Sequence, residues 1–124
     1  MKVLVVDDND DFRHLVASLV RGLGFNIMVA TDGDEALVQF LEHSDRIPLI
    51  ITDINMVRMS GLDLIKEIRA VDSERVKIIA ISAGATGESG DVLDLAVKFG
   101  ANAVFGKPFD TNKFREAVRS LIGA

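Results

Sequence analysis

Short unbroken apolar runs alternate along the chain with stretches in which apolar residues recur every third or fourth position. Val3–Val6 is a run of strand length, and after it Phe12, Leu15, Val16, Leu19 and Leu23 fall at helical spacing. Ile27–Ala30 reads as a second strand. Asp32-Gly33-Asp34-Glu35 resembles a capping box and predicts a helix with Ala36, Leu37, Phe40 and Leu41 on its inner face. Leu49–Ile51 follows Pro48 as a third strand, and Ser60 caps a helix carrying Leu62, Ile65 and Ile68. Val76–Ile81 is the longest strand. A loop holding Gly84, Gly87 and Gly90 then leads to a helix around Val92–Phe99. Ala103–Phe105 makes a fifth strand, and Asp110 caps a last helix with Phe114, Ala117, Val118 and Leu121 inward.

This is a (βα)5 pattern without internal linker, repeat or low-complexity tract. Strands that are apolar throughout, rather than at alternate positions, have both faces covered, which predicts an α/β, doubly wound parallel sheet. Right-handed crossovers put the C-terminal ends of all the strands on one edge. Ligands of such folds bind at that edge, near the topological switch point. The residues at the strand ends therefore carry the functional question.

Strand one runs into Asp7-Asp8, strand three into Asp53, strand four into Ser82 and strand five into Gly106-Lys107-Pro108. Strand two ends in Ala30-Thr31, with no acid before the cap at Asp32. Asp7, Asp8 and Asp53 would thus converge with a hydroxyl and an ammonium. Carboxylates gathered so closely repel unless a cation joins them, and few oxygen ligands with room for water suit Mg²⁺. Taken singly, these residues have plainer roles: Asp10 or Asp11 as a helix N-cap, Lys107 as a solvated lysine, Ser82 as a strand-ending polar residue. Their joint placement carries the signal.

Composition narrows the field. The 124 residues fit one domain, and 48% hydrophobic with 27% charged residues is a globular balance. A net charge of −5 argues against direct contact with nucleic acid. Cysteine is absent, which excludes disulfides, thiolate metal sites and a cysteine nucleophile and fits a cytoplasmic setting. The run Val3–Val6 is too short for a signal peptide or a membrane span.

The motifs VLVVDD at 3–8, ITDINM at 51–56 followed by SGLDL, IIAISA at 78–83 and GKPF at 106–109 are each weak alone. In this order and spacing the chain resembles, over essentially all its length, the receiver domain of bacterial two-component response regulators, in particular the stand-alone chemotaxis type. That resemblance implies a flavodoxin-like five-stranded sheet of order 2-1-3-4-5, the order for which the chemotaxis regulator is a stock example. It implies Asp53 as the phosphoacceptor, with a histidine kinase or histidine phosphotransfer protein as donor. Asp8 would bind Mg²⁺ directly, Asp7 mostly through water, and the Asn55 backbone carbonyl would add a ligand. Ser82, the Ala83 backbone N–H and Lys107 would hold phosphoryl oxygens, and Lys107-Pro108 would be cis. Such a domain promotes its own phosphorylation and dephosphorylation and is otherwise not an enzyme. Its phosphorylation changes a surface that binds another protein. No DNA-binding or catalytic segment follows the last helix, so output is expected from a separate protein or from a longer chain.

Several positions depart from the family pattern. Val57 stands where proline usually follows the methionine, Ser60 replaces Asp or Asn before Gly61, and Ser82 stands where Thr is more frequent. Val104 occupies the common aromatic switch position; the aromatic here is Phe105, which strand alternation points to the other face. The switch is therefore expected to run from Ser82 through the glycine-bearing loop into helix four, not through a ring flip at Val104.

Three rival readings are weaker. Asp8-Asn9-Asp10 imitates the DxD motif of haloacid-dehalogenase-type phosphatases, but Asp11-Phe12 follow where a small residue and Thr are expected, and Asp110 has no second acid beside it. The glycines of 84–90 imitate a phosphate-cradling loop, but follow strand four and lack GxxxxGK[ST]. A receiver-like module that is never phosphorylated would not need Asp7, Asp8, Asp53, Ser82 and Lys107 together. His14 and His43 are expected on the surface, and Met56 and Met59 in packing.

Overall fold

The apolar strands assemble as their pattern predicts. The computed structural model describes residues 1–56, 58–83 and 87–123, with the backbone alone for 87–90. Along the chain run β1 (Lys2–Val6), α1 (Asp10–Gly22), β2 (Asn26–Ala30), α2 (Gly33–His43), β3 (Leu49–Asp53) and α3 (Gly61–Val71). Then follow β4 (Lys77–Ser82), α4 (Gly87–Phe99), β5 (Ala103–Gly106) and α5 (Thr111–Ile122). The five strands pair in parallel in the order β2-β1-β3-β4-β5. The chain order reverses beside β1 and β3, and the crevice at their C-terminal ends is the topological switch point.

Strand alternation divides each apolar run between two cores. Leu4 and Val6 join Ile50, Ile78 and Ala80 under α2, α3 and α4, with Phe40, Leu64, Ile65, Ile68 and Ala96. Val3 and Val5 join Leu49, Ile51, Ile79 and Ile81 under α1 and α5, with Val16, Val20, Phe114 and Val118. Val104 packs on the first of these cores and Phe105 on the second, the opposite facing that alternation predicts.

The caps at Asp32, Ser60 and Asp110 form as expected, each side chain accepting an amide N–H two or three residues on. Helix α1 differs. Its N-cap is Asn9, whose side chain accepts the Phe12 N–H, so Asp10 and Asp11 lie in the first turn, where acids favour the helix dipole. Leu15 and Leu41, assigned inward by spacing, are 46% and 55% exposed. The inner stripe of α1 instead passes through Arg13, Val16, Ala17 and Val20.

Helix α4 begins at Gly87, five residues before the expected Val92. Its apolar periodicity starts only at Val92, which hid the first turn. Glycine costs a helix about 1 kcal/mol, which the packing of Val92, Leu93, Ala96 and Phe99 on the core offsets. Gly87 and Gly90 are therefore helical rather than loop residues. Gly84 and Val57 lie outside the described residues.

Candidate functional site

The C-terminal edge of the sheet gathers the residues singled out at the strand ends. Asp7 follows β1 directly; its N–H donates to the Ala30 carbonyl at 3.2 Å, which extends the ladder by one rung and holds the residue down. Asp53 closes β3, and the following Ile54 N–H donates to Ile81 O at 2.8 Å. Both acids are nearly buried, Asp7 at 2% and Asp53 at 5% exposure, while Asp8 is exposed. Asp7, Asp8 and Asp53 each offer a carboxylate oxygen, and the three oxygens lie within 4.8 Å of one another.

Lys107 reaches this cluster from β5. Its amide N–H donates to the Ser82 carbonyl at 2.7 Å, and its bond to Pro108 is cis. The ammonium lies 3.4 Å from Asp7 Oδ2 and 3.5 Å from Asp53 Oδ1. The second approach is an ion pair without hydrogen-bond alignment: Asp53 Oδ1 is buried with no hydrogen-bond partner among the described residues. Asp7 is better served, since its Oδ1 accepts the Asn9 N–H at 2.9 Å.

This imbalance sets the chemistry of Asp53. Burial, then the neighbouring charge of Asp7, lift its pKa from 3.8 to about 6; Lys107 pulls it back part of the way and Asp8 adds to the rise. At neutral pH the carboxylate is ionised, desolvated and short of donors. A hard cation shared by the three carboxylates would relieve burial cost and repulsion together. The donor set, all oxygen and partly open to water, fits Mg²⁺.

Ser82, the last residue of β4, is buried beside the cluster; its hydroxyl accepts from Asn55 Nδ2 at 3.4 Å and lies 3.4 Å from the Ala83 carbonyl that it donates to. Asn55 thus touches the site through its side chain as well as standing two residues after Asp53, and Ala83 is exposed at the same edge. Val104 lies apart, half-buried opposite Ala80 in the ladder.

Two residues of the site escaped the sequence reading. Arg13 is buried; Nη1 donates to the Asp7 carbonyl at 2.9 Å and Nη2 pairs with Asp10 Oδ1 at 2.6 Å, fastening the turn that presents Asp7 and Asp8. Its signal was there: Arg13, Val16, Ala17 and Val20 share the spacing of one helix stripe, and a cation on a buried stripe needs an acceptor. Phe12 lies with its ring face 3.9 Å from the Lys107 ammonium. No sequence signal links two residues so far apart in the chain.

A doubly wound parallel sheet with carboxylates and a lysine at its switch point defines an α/β domain built to handle charge at that edge. Residues 3–119 match the family described as the response regulator receiver domain, and the chain belongs to it: it is a CheY-type phosphoacceptor domain of two-component signalling. It is 34% identical over 122 residues to the chemotaxis protein CheY of Pseudomonas aeruginosa, covering 98% of this chain and 95% of that protein. Among solved structures, a receiver domain from Clostridium thermocellum superposes with a TM-score of 0.89 at 27% identity, covering 98% of this chain and 93% of that one. The CheX-CheY-BeF3-Mg²⁺ complex from Borrelia burgdorferi gives 0.87 at 28% identity, covering 100% and 90%. Receiver domains are signalling modules rather than enzymes that turn over a substrate. No described helix is long and apolar enough to cross a membrane.

Proposed function

We propose that residues 1–124 form one receiver domain in which Asp53 accepts a phosphoryl group from a histidine kinase or a histidine phosphotransfer protein. The observation that carries this is Asp53 Oδ1: buried, without a hydrogen bond among the described residues, and placed between Asp7, Asp8 and Lys107. An oxygen so placed is a nucleophile waiting for an electrophile, since among the described residues it accepts no hydrogen bond and the Lys107 ammonium stands 3.5 Å away. In transfer, a carboxylate oxygen of Asp53 bonds to phosphorus while the donor's bond to phosphorus breaks.

Asp7, Asp8, Asp53 and the Asn55 backbone carbonyl would hold Mg²⁺, which when bound neutralises charge on the phosphoryl oxygens and the attacking carboxylate. The remaining work belongs to the chain. Lys107 pairs with a further phosphoryl oxygen, and the Ser82 hydroxyl and Ala83 N–H donate to another. Asp7, turned by Asn9 N–H and the Lys107 ammonium, keeps its carboxylate fixed beside Asp53. The domain in this way promotes its own phosphorylation and dephosphorylation.

The switch runs from Ser82 and Ala83 into α4. Val104 has a short branched side chain that cannot swing as an aromatic ring would. Output passes to another protein, in a cytoplasmic setting, without direct contact to nucleic acid or membrane.

The test is incubation with acetyl phosphate, with and without Mg²⁺, read by intact mass. Wild type should gain one phosphoryl group only with Mg²⁺, and Asp53→Asn none. Equal gain by Asp53→Asn would refute the assignment.

A further inference from the structure

We propose that Phe12 is a positioning residue of the phosphoryl-transfer site, its ring face seating the Lys107 ammonium beside Asp7 and Asp53. The inference rests on the reading of Asp53 as phosphoacceptor and adds a residue that none of the strand-end motifs contains.

Lysine is a poor anchor by itself. Its four-carbon stem has many rotamers, and its ammonium is strongly hydrated. Here the carboxylates do not hold it tightly. The distances of 3.4 Å to Asp7 and 3.5 Å to Asp53 are long beside the 2.7–2.9 Å or so of charge-assisted bonds. The third neighbour of the ammonium is the face of Phe12, at 3.9 Å from the ring centroid and well inside cation–π range. An aromatic face attracts the ammonium through its quadrupole and takes up no directed N–H bond. The lysine is thereby kept at the site with only its long bond to Asp7 committed, which suits a group that must meet phosphoryl oxygens when they arrive.

The ring is itself held firmly. Phe12 stands in the first turn of α1, where its N–H donates to the Asn9 cap at 2.9 Å. Its ring meets Phe109 edge to face, with centroids 5.8 Å apart and planes at 80°. Phe109 packs in turn on Phe105 at 5.6 Å and on Phe114 at 5.0 Å, and Phe114 is fully buried in the α1–α5 core. The turn Lys107-Pro108-Phe109 therefore supplies both the lysine and the ring that backs its seat. Phe12→Leu keeps apolar bulk and removes the quadrupole; Phe12→Tyr keeps both.

Two measurements on the intact protein decide the matter. In protein carrying ¹³C-labelled lysine, the ε-methylene of Lys107, assigned by its loss in Lys107→Met, should resonate upfield through the ring current. That displacement should vanish in Phe12→Leu and persist in Phe12→Tyr. The maximal rate of phosphorylation by acetyl phosphate at saturating Mg²⁺ should fall about two- to fivefold in Phe12→Leu, the size of an exposed to partly buried cation–π contact. It should stay near wild type in Phe12→Tyr, with Mg²⁺ affinity unchanged throughout. In a Lys107→Met background, Phe12→Leu should cost nothing more. An ordinary ε-methylene position in wild type, an undiminished rate in Phe12→Leu, or a full loss persisting without Lys107 would each overturn the proposal. If no form takes up a phosphoryl group, the Asp53 reading falls instead, and the ring-current displacement alone decides whether the seat exists.

Discussion

Asp53 is the residue whose surroundings are most at odds with its charge, and the conflict has a measurable sign. Its folded-state pKa, about 6, stands above the unfolded value of 3.8. The folded protein therefore holds the Asp53 proton more tightly than the unfolded chain does. Stability from this source is fully present below pH 3.8 and is lost as pH rises through about 6. Asp53→Asn should accordingly melt higher than wild type at pH 7.5 without divalent cations, by roughly 1–2 kcal/mol of stability. The gap should close near pH 4 and narrow when Mg²⁺ is added. Thermal melts across pH check both points. Asp8→Ala, which removes an exposed member of the carboxylate trio, should keep the fold and lose the Mg²⁺-dependent rise in Tm. Asp7, Asp8, Asp53, Ser82 and Lys107 were legible in the sequence because a parallel sheet brings all strand ends to one edge. Phe12 was not, because what matters in it is a contact across elements, whereas Arg13 was signalled by its place on the buried stripe of α1.

At the scale of elements, the site depends on how closely α3 starts against the end of β3. The Gly61 N–H donates to Ile54 O at 2.9 Å, and a Cβ at Gly61 would run into the backbone of Asp53 and Ile54. Backbone cannot yield as a side-chain tip can. Gly61→Ala should therefore destabilise the protein by about 1–3 kcal/mol and slow phosphorylation at Asp53, read by denaturant melts and intact mass. At the opposite edge, Arg69 of α3 donates to the Gly100 carbonyl at 3.1 and 3.0 Å and to Asn102 Oδ1 at 3.0 Å. Asn102 Oδ1 also accepts the Ile78 N–H at 2.8 Å, so the Asn102 side chain ties α3 to β4, while Arg69 reaches the Gly100 carbonyl just after α4. Removing that amide in Asn102→Ala leaves the Ile78 N–H without this acceptor and should cost about 1–3 kcal/mol in denaturant melts, with phosphorylation kept. Element order, the parallel doubly wound sheet and three of the four expected caps follow from local pattern, while the strand order follows from the family resemblance. The α1 cap and the start of α4 do not follow from that pattern, since five consecutive polar residues, Asp7 to Asp11, offer several capping choices and α4 opens without apolar residues.

Across the whole molecule, the proposed function requires that charge gathered at one sheet edge be read out elsewhere. With a beryllofluoride mimic, hydrogen exchange should slow at Ala83 and over residues 87–92 of α4, with a smaller change near Val104. Unchanged exchange there with a response in α1 or α2 instead would place the switching face on another side of the sheet. All of this stands on Asp53 forming an acyl phosphate, and one experiment addresses that bond directly. Borohydride reduces an acyl phosphate to an alcohol and so converts a phosphorylated aspartate to homoserine, a permanent mark. Protein treated with acetyl phosphate and Mg²⁺, reduced, digested and sequenced by mass spectrometry should carry homoserine at position 53 alone. Homoserine at Asp7 or Asp8, or its absence from position 53 in protein that has gained phosphoryl mass, would contradict the account.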